Sequence, residues 1–166
     1  IQKYFIKGTN SKEMEALLKS LDVDLLVIGH TGILKENILA IPRIGTLNCH
    51  PGILPNYKGL DSIFWASLNQ DFSNIGTSVH FVDKGIDTGD IILKKYFKIQ
   101  DKSKNLIKVR RDLINSSPSV MKDAVVKIIE TKDKSNIEVL ENINGSYYSK
   151  IPLSKYRQAK LNFKNR

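Results

Sequence analysis

Cysteine is almost missing. Cys49 stands alone in a chain of 166 residues, so no internal disulfide can form, and the expected compartment is the reducing cytoplasm. No apolar run approaches the length that spans a bilayer, which excludes a helical membrane protein reading of this stretch. The three His are dispersed and the one Cys sits beside one of them, so no metal site is expected. There is no Walker loop, no complete dinucleotide fingerprint and no internal repeat, which removes the simplest nucleotide-binding and solenoid readings. No signal-peptide pattern is visible, and the chain opens on Ile1 rather than Met. Acidic residues are also scarce relative to bases: 17 Asp and Glu face 26 Lys and Arg, for a net charge of +9. Such an excess suits nucleic acid, an acidic surface or an anionic small substrate. Six of these cations fall between Lys150 and Arg166 without one acid, which reads as a solvated basic tail rather than a nucleic-acid patch.

What is present is organised around Leu47 to Gly59. A short apolar run there delivers Asn48 and His50 into a loop punctuated by Pro51, Gly52 and Pro55. Side chains alternate along a strand, so Asn48 and His50 point to the same side and Cys49 to the other, into packing. The Pro-Gly loop forces the chain out of the sheet, and the ends of buried strands are where open α/β sheets bind ligands.

The chain around this stretch reads as one α/β unit. Ile1 to Lys7 is expected to be a short strand. Asn10-Ser11-Lys12-Glu13 offers a helix start, with Met14, Leu17, Leu18 and Leu21 as its apolar stripe. Leu25 to Ile28 has the look of a strand covered on both faces, followed by a glycine-bearing loop, Gly29 to Lys35, whose open backbone suits a ligand. Asp61 or Ser62 can cap a helix carrying Phe64, Trp65 and Leu68, with Trp65 read as core. Ile75 to Val82 and Ile91 to Ile99 are expected as a hairpin, with the carboxylates of Asp83, Asp87 and Asp90 around its tip. Ser103 is read as the cap of one helix (Leu106, Val109, Leu113), and Pro118 as the start of another (Met121, Ala124, Val125, Ile128, Ile129). Ile137 to Leu140 and Tyr147-Tyr148 suggest a closing hairpin. The expected organisation is a catalytic domain over 1–134 and a C-terminal hairpin with basic tail over 135–166.

Asn, His and Asp together permit a specific chemistry. A neutral amide can hydrogen-bond to an oxyanion. An imidazole beside a carboxylate can carry charge at the same oxygen or shuttle a proton. Direct attack of an amine or water on an acyl carbon then needs no Ser or Cys nucleophile.

Five blocks carry a resemblance: Asn48-Cys49-His50-Pro51; Ile53-Leu54-Pro55 with Tyr57 and Gly59; Val79-His80-Phe81-Val82; Gly85-Ile86-Asp87-Thr88; and Gly89-Asp90-Ile91-Ile92. In order and separation they resemble the formyltransferases that use 10-formyltetrahydrofolate, over about Glu13 to Ile129. The resemblance implies a formyltransferase-like Rossmann-type sheet, mostly parallel with an antiparallel hairpin. Relatives begin with a strand-helix-strand unit, which is expected to be missing from this stretch. It implies Asn48, His50 and Asp87 as the catalytic triad. It also implies Thr31, Gly32, Ile33 and Leu34, with Val82, Asp83, Lys84, Gly85 and Ile86, as the folate-binding loops, and Tyr57, Gly59 and Asp61 as the acceptor side. His80 is read as supporting the hairpin. The implied reaction is formyl transfer to a primary amine of a small, anionic acceptor, in first place a nucleotide-linked amino sugar. Glycinamide ribonucleotide, methionyl-tRNA and a truncated, non-catalytic binding domain are the alternatives. Membrane and nucleic acid are not expected partners; a homodimer is left open.

Overall fold

The computed structural model describes residues 2–99, 104–131 and 136–166. Residues 2–7 form no strand: Tyr4 and Phe5 are 44% and 92% exposed, so the segment has no buried face to set a register. Ser11, rather than Asn10, caps the first helix, α1 (Lys12–Ser20), by accepting the Met14 N–H at 3.1 Å. Of the expected stripe only Leu18 is fully buried, and Leu21 is 46% exposed. After α1 come β1 (Leu25–Ile28), the short α2 (Glu36–Leu39) and β2 (Gly45–His50). Leu26 and Ile28 pack with Leu18, Leu34 and Ile38 in one apolar cluster.

The main sheet continues through β4 (Gly76–Phe81) and β5 (Ile91–Tyr96) in the order β1-β2-β4-β5. It is mixed: β1 and β2 run parallel, while β4 is antiparallel to both β2 and β5. The hairpin read from the sequence is therefore half of this sheet. β1 is its edge, and Val27 is 47% exposed, so the strand is not covered on both faces. Four consecutive apolar residues reveal a strand but not whether anything packs on each side of it.

One helix, α4 (Leu106–Glu130), covers one face of the sheet where two were expected. Pro118 lies inside it. Proline removes the N–H that would have reached the Ile114 carbonyl, and just before it the Ser116 and Ser117 hydroxyls donate to the Leu113 carbonyl at 2.7 and 3.3 Å. The helix is needed in one piece because its first half (Leu106, Val109, Leu113) and second half (Val120, Met121, Ala124, Ile128) close two different clusters. Its cap is Asn105, which accepts the Lys108 N–H; the expected cap, Ser103, lies outside the described residues.

The last thirty residues differ most from expectation. Among the described residues no closing hairpin forms. Leu140 instead makes an antiparallel bridge to Ile91, and β6 (Ser146–Tyr148) pairs in parallel with β3 (Tyr57–Gly59). The basic stretch is a helix, α5 (Leu153–Lys164), packed on α3 (Ser62–Leu68), with Ala159 and Phe163 both 0% exposed. Charged residues line its outer side and two apolar ones bury it, a pattern that a count of Lys and Arg hides. Among the described residues, no helix is long and apolar enough to cross a membrane.

Candidate active site

The alternation of β2 divides its residues as its sequence requires. Leu47 and Cys49 pack with Val120, Met121 and Ala124 of α4, and the Cys49 thiol lies 3.6 Å from the Ser117 carbonyl. Burial pushes this thiol up, away from the reactive thiolate. Asn48 and His50 take the opposite face, where the register sets them across from His80 and Ser78 of β4. The β4–β5 pairing slips between Val79 and His80, an irregularity of the kind that re-aims a side chain.

Asp87 returns to this face from the loop joining β4 to β5. Its Oδ2 stands 3.3 Å from His50 Nδ1 and accepts the Gly59 N–H at 2.8 Å; its Oδ1 stands 3.4 Å from His80 Nε2. The three residues expected to act together are thus brought together. His80, read from sequence as a support for the hairpin, is part of the same cluster and 2% exposed.

Carbonyl contacts assign the protons on the two rings. His50 Nε2 lies 2.7 Å from the Tyr57 carbonyl, which can only accept, so that nitrogen carries a hydrogen and Nδ1 faces Asp87. The Ser62 hydroxyl, 3.1 Å from the same Nε2, closes the far side of the ring. His80 Nδ1 donates to the Phe81 carbonyl at 2.6 Å, leaving Nε2 to accept from Asn48 Nδ2 at 3.3 Å. That contact orients the Asn48 amide and leaves its second N–H free.

Burial holds His50 below the ordinary imidazole range, only partly opposed by the Asp87 carboxylate. Burial resists the Asp87 carboxyl too, but the His80 and His50 rings beside it and the Gly59 N–H keep it below the usual carboxylate range. The resting site is therefore a neutral His50 beside an ionised Asp87, which suits proton transfer better than a permanently charged imidazole. Both shifts act on stability with one sign. As pH falls through about 6.5 the unfolded chain takes up a proton that buried His50 refuses, and below about 3.9 the same holds for Asp87. Tm is expected to fall between pH 7 and 5, and a His50→Gln variant to be flatter over that window. A wild-type Tm flat from pH 7 to 5 would contradict a neutral, buried His50.

The other predicted residues fall into distinct places. The Gly29 to Leu34 loop leaves β1 directly after Ile28, the register partner of Asn48. Thr31, Gly32 and Ile33 are exposed, Ile33 by 71%, whereas the Leu34 side chain is inside the α1–α2 cluster. Asn10, not singled out from sequence as a site residue, holds this loop: its side chain donates to the Ile33 carbonyl at 2.8 Å and accepts the Lys35 N–H at 2.7 Å. In the second loop the Val82 N–H donates to the Thr46 carbonyl, and Asp83 accepts from the Gly85 N–H and the Thr88 hydroxyl. Lys84, Gly85 and Ile86 are exposed. A Cβ on Gly29 or Gly32 would meet nothing within 4 Å, so the space over the first loop is open.

On the expected acceptor side, the Tyr57 side chain is core. It is 3% exposed, stacks on Tyr148 and donates its hydroxyl to Asp71 at 2.9 Å, so the site receives its carbonyl only. Asp61 accepts the Ile151 N–H at 3.1 Å and forms no side-chain cap on α3. Gly59 has φ +88°, and a Cβ there would run into the Tyr148 carbonyl, so this position demands glycine.

The formyl transferase family profile matches residues 2–135. A curated methionyl-tRNA formyltransferase of Flavobacterium psychrophilum is 30% identical over 182 residues, covering 96% of this chain and 57% of its own length. A sugar N-formyltransferase structure from a Shewanella species superposes with a TM-score of 0.68 at 18% identity, over 92% of this chain and 64% of that one. The formyltransferase PseJ of Anoxybacillus kamchatkensis superposes with a TM-score of 0.57 at 19% identity, over 86% and 82% of the two chains. It was crystallised with UDP-4,6-dideoxy-4-formamido-L-AltNAc and tetrahydrofolate. The chain spans little more than half the length of the Flavobacterium relative.

Proposed function

This chain belongs to the formyl transferase family, and from that premise we propose that it transfers a formyl group from 10-formyltetrahydrofolate to a primary amine, on a nucleotide-linked amino sugar. The observation that carries the reaction is the convergence of Asn48, His50 and Asp87, with Asp87 Oδ2 3.3 Å from His50 Nδ1. The backbone of Thr31, Gly32 and Ile33 and the loop from Val82 to Ile86 would hold the folate, with the exposed Ile33 and Ile86 side chains offering apolar surface to its ring. The donor supplies an electrophilic formyl carbon attached to nitrogen. The residues supply the rest. As the amine bonds to that carbon, the free N–H of Asn48 donates to the oxygen that gathers negative charge. Neutral His50, backed by Asp87, takes the proton leaving the amine on Nδ1. It returns that proton to the donor nitrogen as its bond to carbon breaks.

The stretch after Gly59, Leu60-Asp61-Ser62-Ile63-Phe64-Trp65, resembles amino-sugar formyltransferases, and that likeness supports the sugar acceptor. A second reading, methionyl-tRNA as acceptor, is favoured by the name of the Flavobacterium relative and by the net charge of +9. The first test is a thermal shift with 5-formyltetrahydrofolate. A saturable rise in Tm, equivalent to about 2.7 kcal/mol at a hundredfold excess over Kd, is the expected result. Formyl transfer is then assayed with a UDP-linked amino sugar, glycinamide ribonucleotide and methionyl-tRNA in parallel. No shift from a cooperatively unfolding chain would reject the folate site, and product with methionyl-tRNA alone would replace the sugar by the second reading.

A further inference from the structure

The Asp87 loop is fastened from outside by a segment that the family profile does not reach. Asn142 lies beyond residue 135 and is 5% exposed. Its Nδ2 donates to two carbonyls at once, Asp87 at 2.9 Å and Gly89 at 2.8 Å. Its Oδ1 is buried with no hydrogen-bond partner, so the amide is held in place for its two donors. Turning the amide over would set that oxygen against two carbonyl oxygens. Asp87 itself has φ +52°, a left-handed conformation that a residue with a Cβ keeps only when its surroundings impose it.

The same segment reaches the other holder of Asp87. Before Asn142, Leu140 exchanges both backbone hydrogen bonds with Ile91, at 2.9 and 2.7 Å. At Asn142, the backbone carbonyl accepts from the buried Lys58 ammonium at 3.0 Å. After it, β6 runs along β3, and it is Gly59 of β3 whose N–H holds the Asp87 carboxylate. Residues 140 to 148 therefore tie the backbone of Asp87 to the strand that grips its side chain.

We propose that Asn142 is a positioning residue of this site, pinning the Asp87 backbone so that the carboxylate faces His50 and His80. The proposal rests on the reading of this cluster as the reacting centre. It touches no substrate; it acts through Asp87.

The test reads the imidazole of His50 by NMR in the wild-type chain, in Asn142→Ala and in Asp87→Asn. The titratable groups facing His50 are Asp87 and His80, with the Tyr57 carbonyl and the Ser62 hydroxyl as its neutral partners. Asp87 favours the protonated ring, so its displacement makes His50 titrate at lower pH. Asn142→Ala is expected to move that titration in the direction Asp87→Asn does. It is also expected to lower kcat by about 10²-fold, as misplacement by an ångström does, with KM for the folate donor little changed. A stabilising role alone would lower Tm and leave the His50 titration in place, and that result in a folded variant overturns the proposal. Should Asn142→Ala fail to fold, cross-hydrogen-bond couplings in the wild-type chain decide. Couplings from Asn142 Nδ2 to the carbonyl carbons of Asp87 and Gly89 support it, and a freely exchanging carboxamide without them overturns it. If the wild-type chain transfers no formyl group, the functional reading fails, while the His50 titration still judges Asn142.

Discussion

Asn48→Ala is expected to lower kcat for formyl transfer by about 10²–10³-fold, the usual effect of removing one oxyanion donor. The fold should barely notice. Asn48 is half-buried, belongs to no apolar cluster, and its side-chain partner among the described residues is His80 Nε2 at 3.3 Å. Its second N–H is satisfied only when the formyl oxygen arrives, so the loss falls on the transition state. KM for the donor, set by the loops around Thr31 and Ile86, should change little. Steady-state kinetics with saturating donor and a thermal melt of the same preparation separate these effects. Turnover within threefold of wild type would remove Asn48 from the reaction.

Phe163→Ala should produce the largest loss of stability. The ring is 0% exposed, meets Phe72 edge-on at 6.0 Å between centroids, and carries the Arg166 guanidinium over its face at 4.0 Å. Removing a buried Phe costs about 3–5 kcal/mol, which for a chain of this size lowers Tm by roughly 6–20 °C. A solvated basic tail would give no shift at all, so the experiment separates the two pictures of residues 153–164. The consequence extends to the site. Helix α5 holds α3 through Ala159 and through Ser67, whose hydroxyl donates to the Ala159 carbonyl at 2.7 Å. The first residue of α3 is Ser62, which closes the far side of the His50 ring. Urea denaturation should show a lower midpoint with an unchanged slope if the remaining fold stays intact.

The two sets of site residues differ in how readable they were. Asn48 and His50 share a face because a strand has period two, and Cys49 packs behind them for the same reason. Alternation and glycine placed Asp87 at the tip of a hairpin, and the resemblance singled it out as the third member, because no local rule fixes which loop carboxylate comes back across a sheet. Tyr57 shows how a motif residue can be right in position and different in part used: the chain needs its carbonyl at His50 and buries its ring against Tyr148. Asn10, Asn142 and Lys58 had no signal at all. An Asn in a polar loop is common, and what distinguishes these is a partner 23 to 84 residues away.

What the amino-acid sequence determined by itself was therefore the short-range part: an α/β chain, the exit of β2 at Pro51–Gly52, the β4–β5 hairpin and the shared face of Asn48 and His50. These follow from side-chain alternation and from the stereochemistry of proline and glycine, which act over a few residues. Only the tertiary structure decided that α4 runs straight through Pro118, that β6 lies on β3 rather than on its own neighbour, and that α5 is core. In each case burial of apolar surface against a distant segment outweighed the local preference, even the cost of about 3 kcal/mol that a proline carries inside a helix. The placement of Asp87 is the sharpest instance. Its left-handed backbone is locally unfavourable, and it is held there by Gly59 on one side and Asn142 on the other.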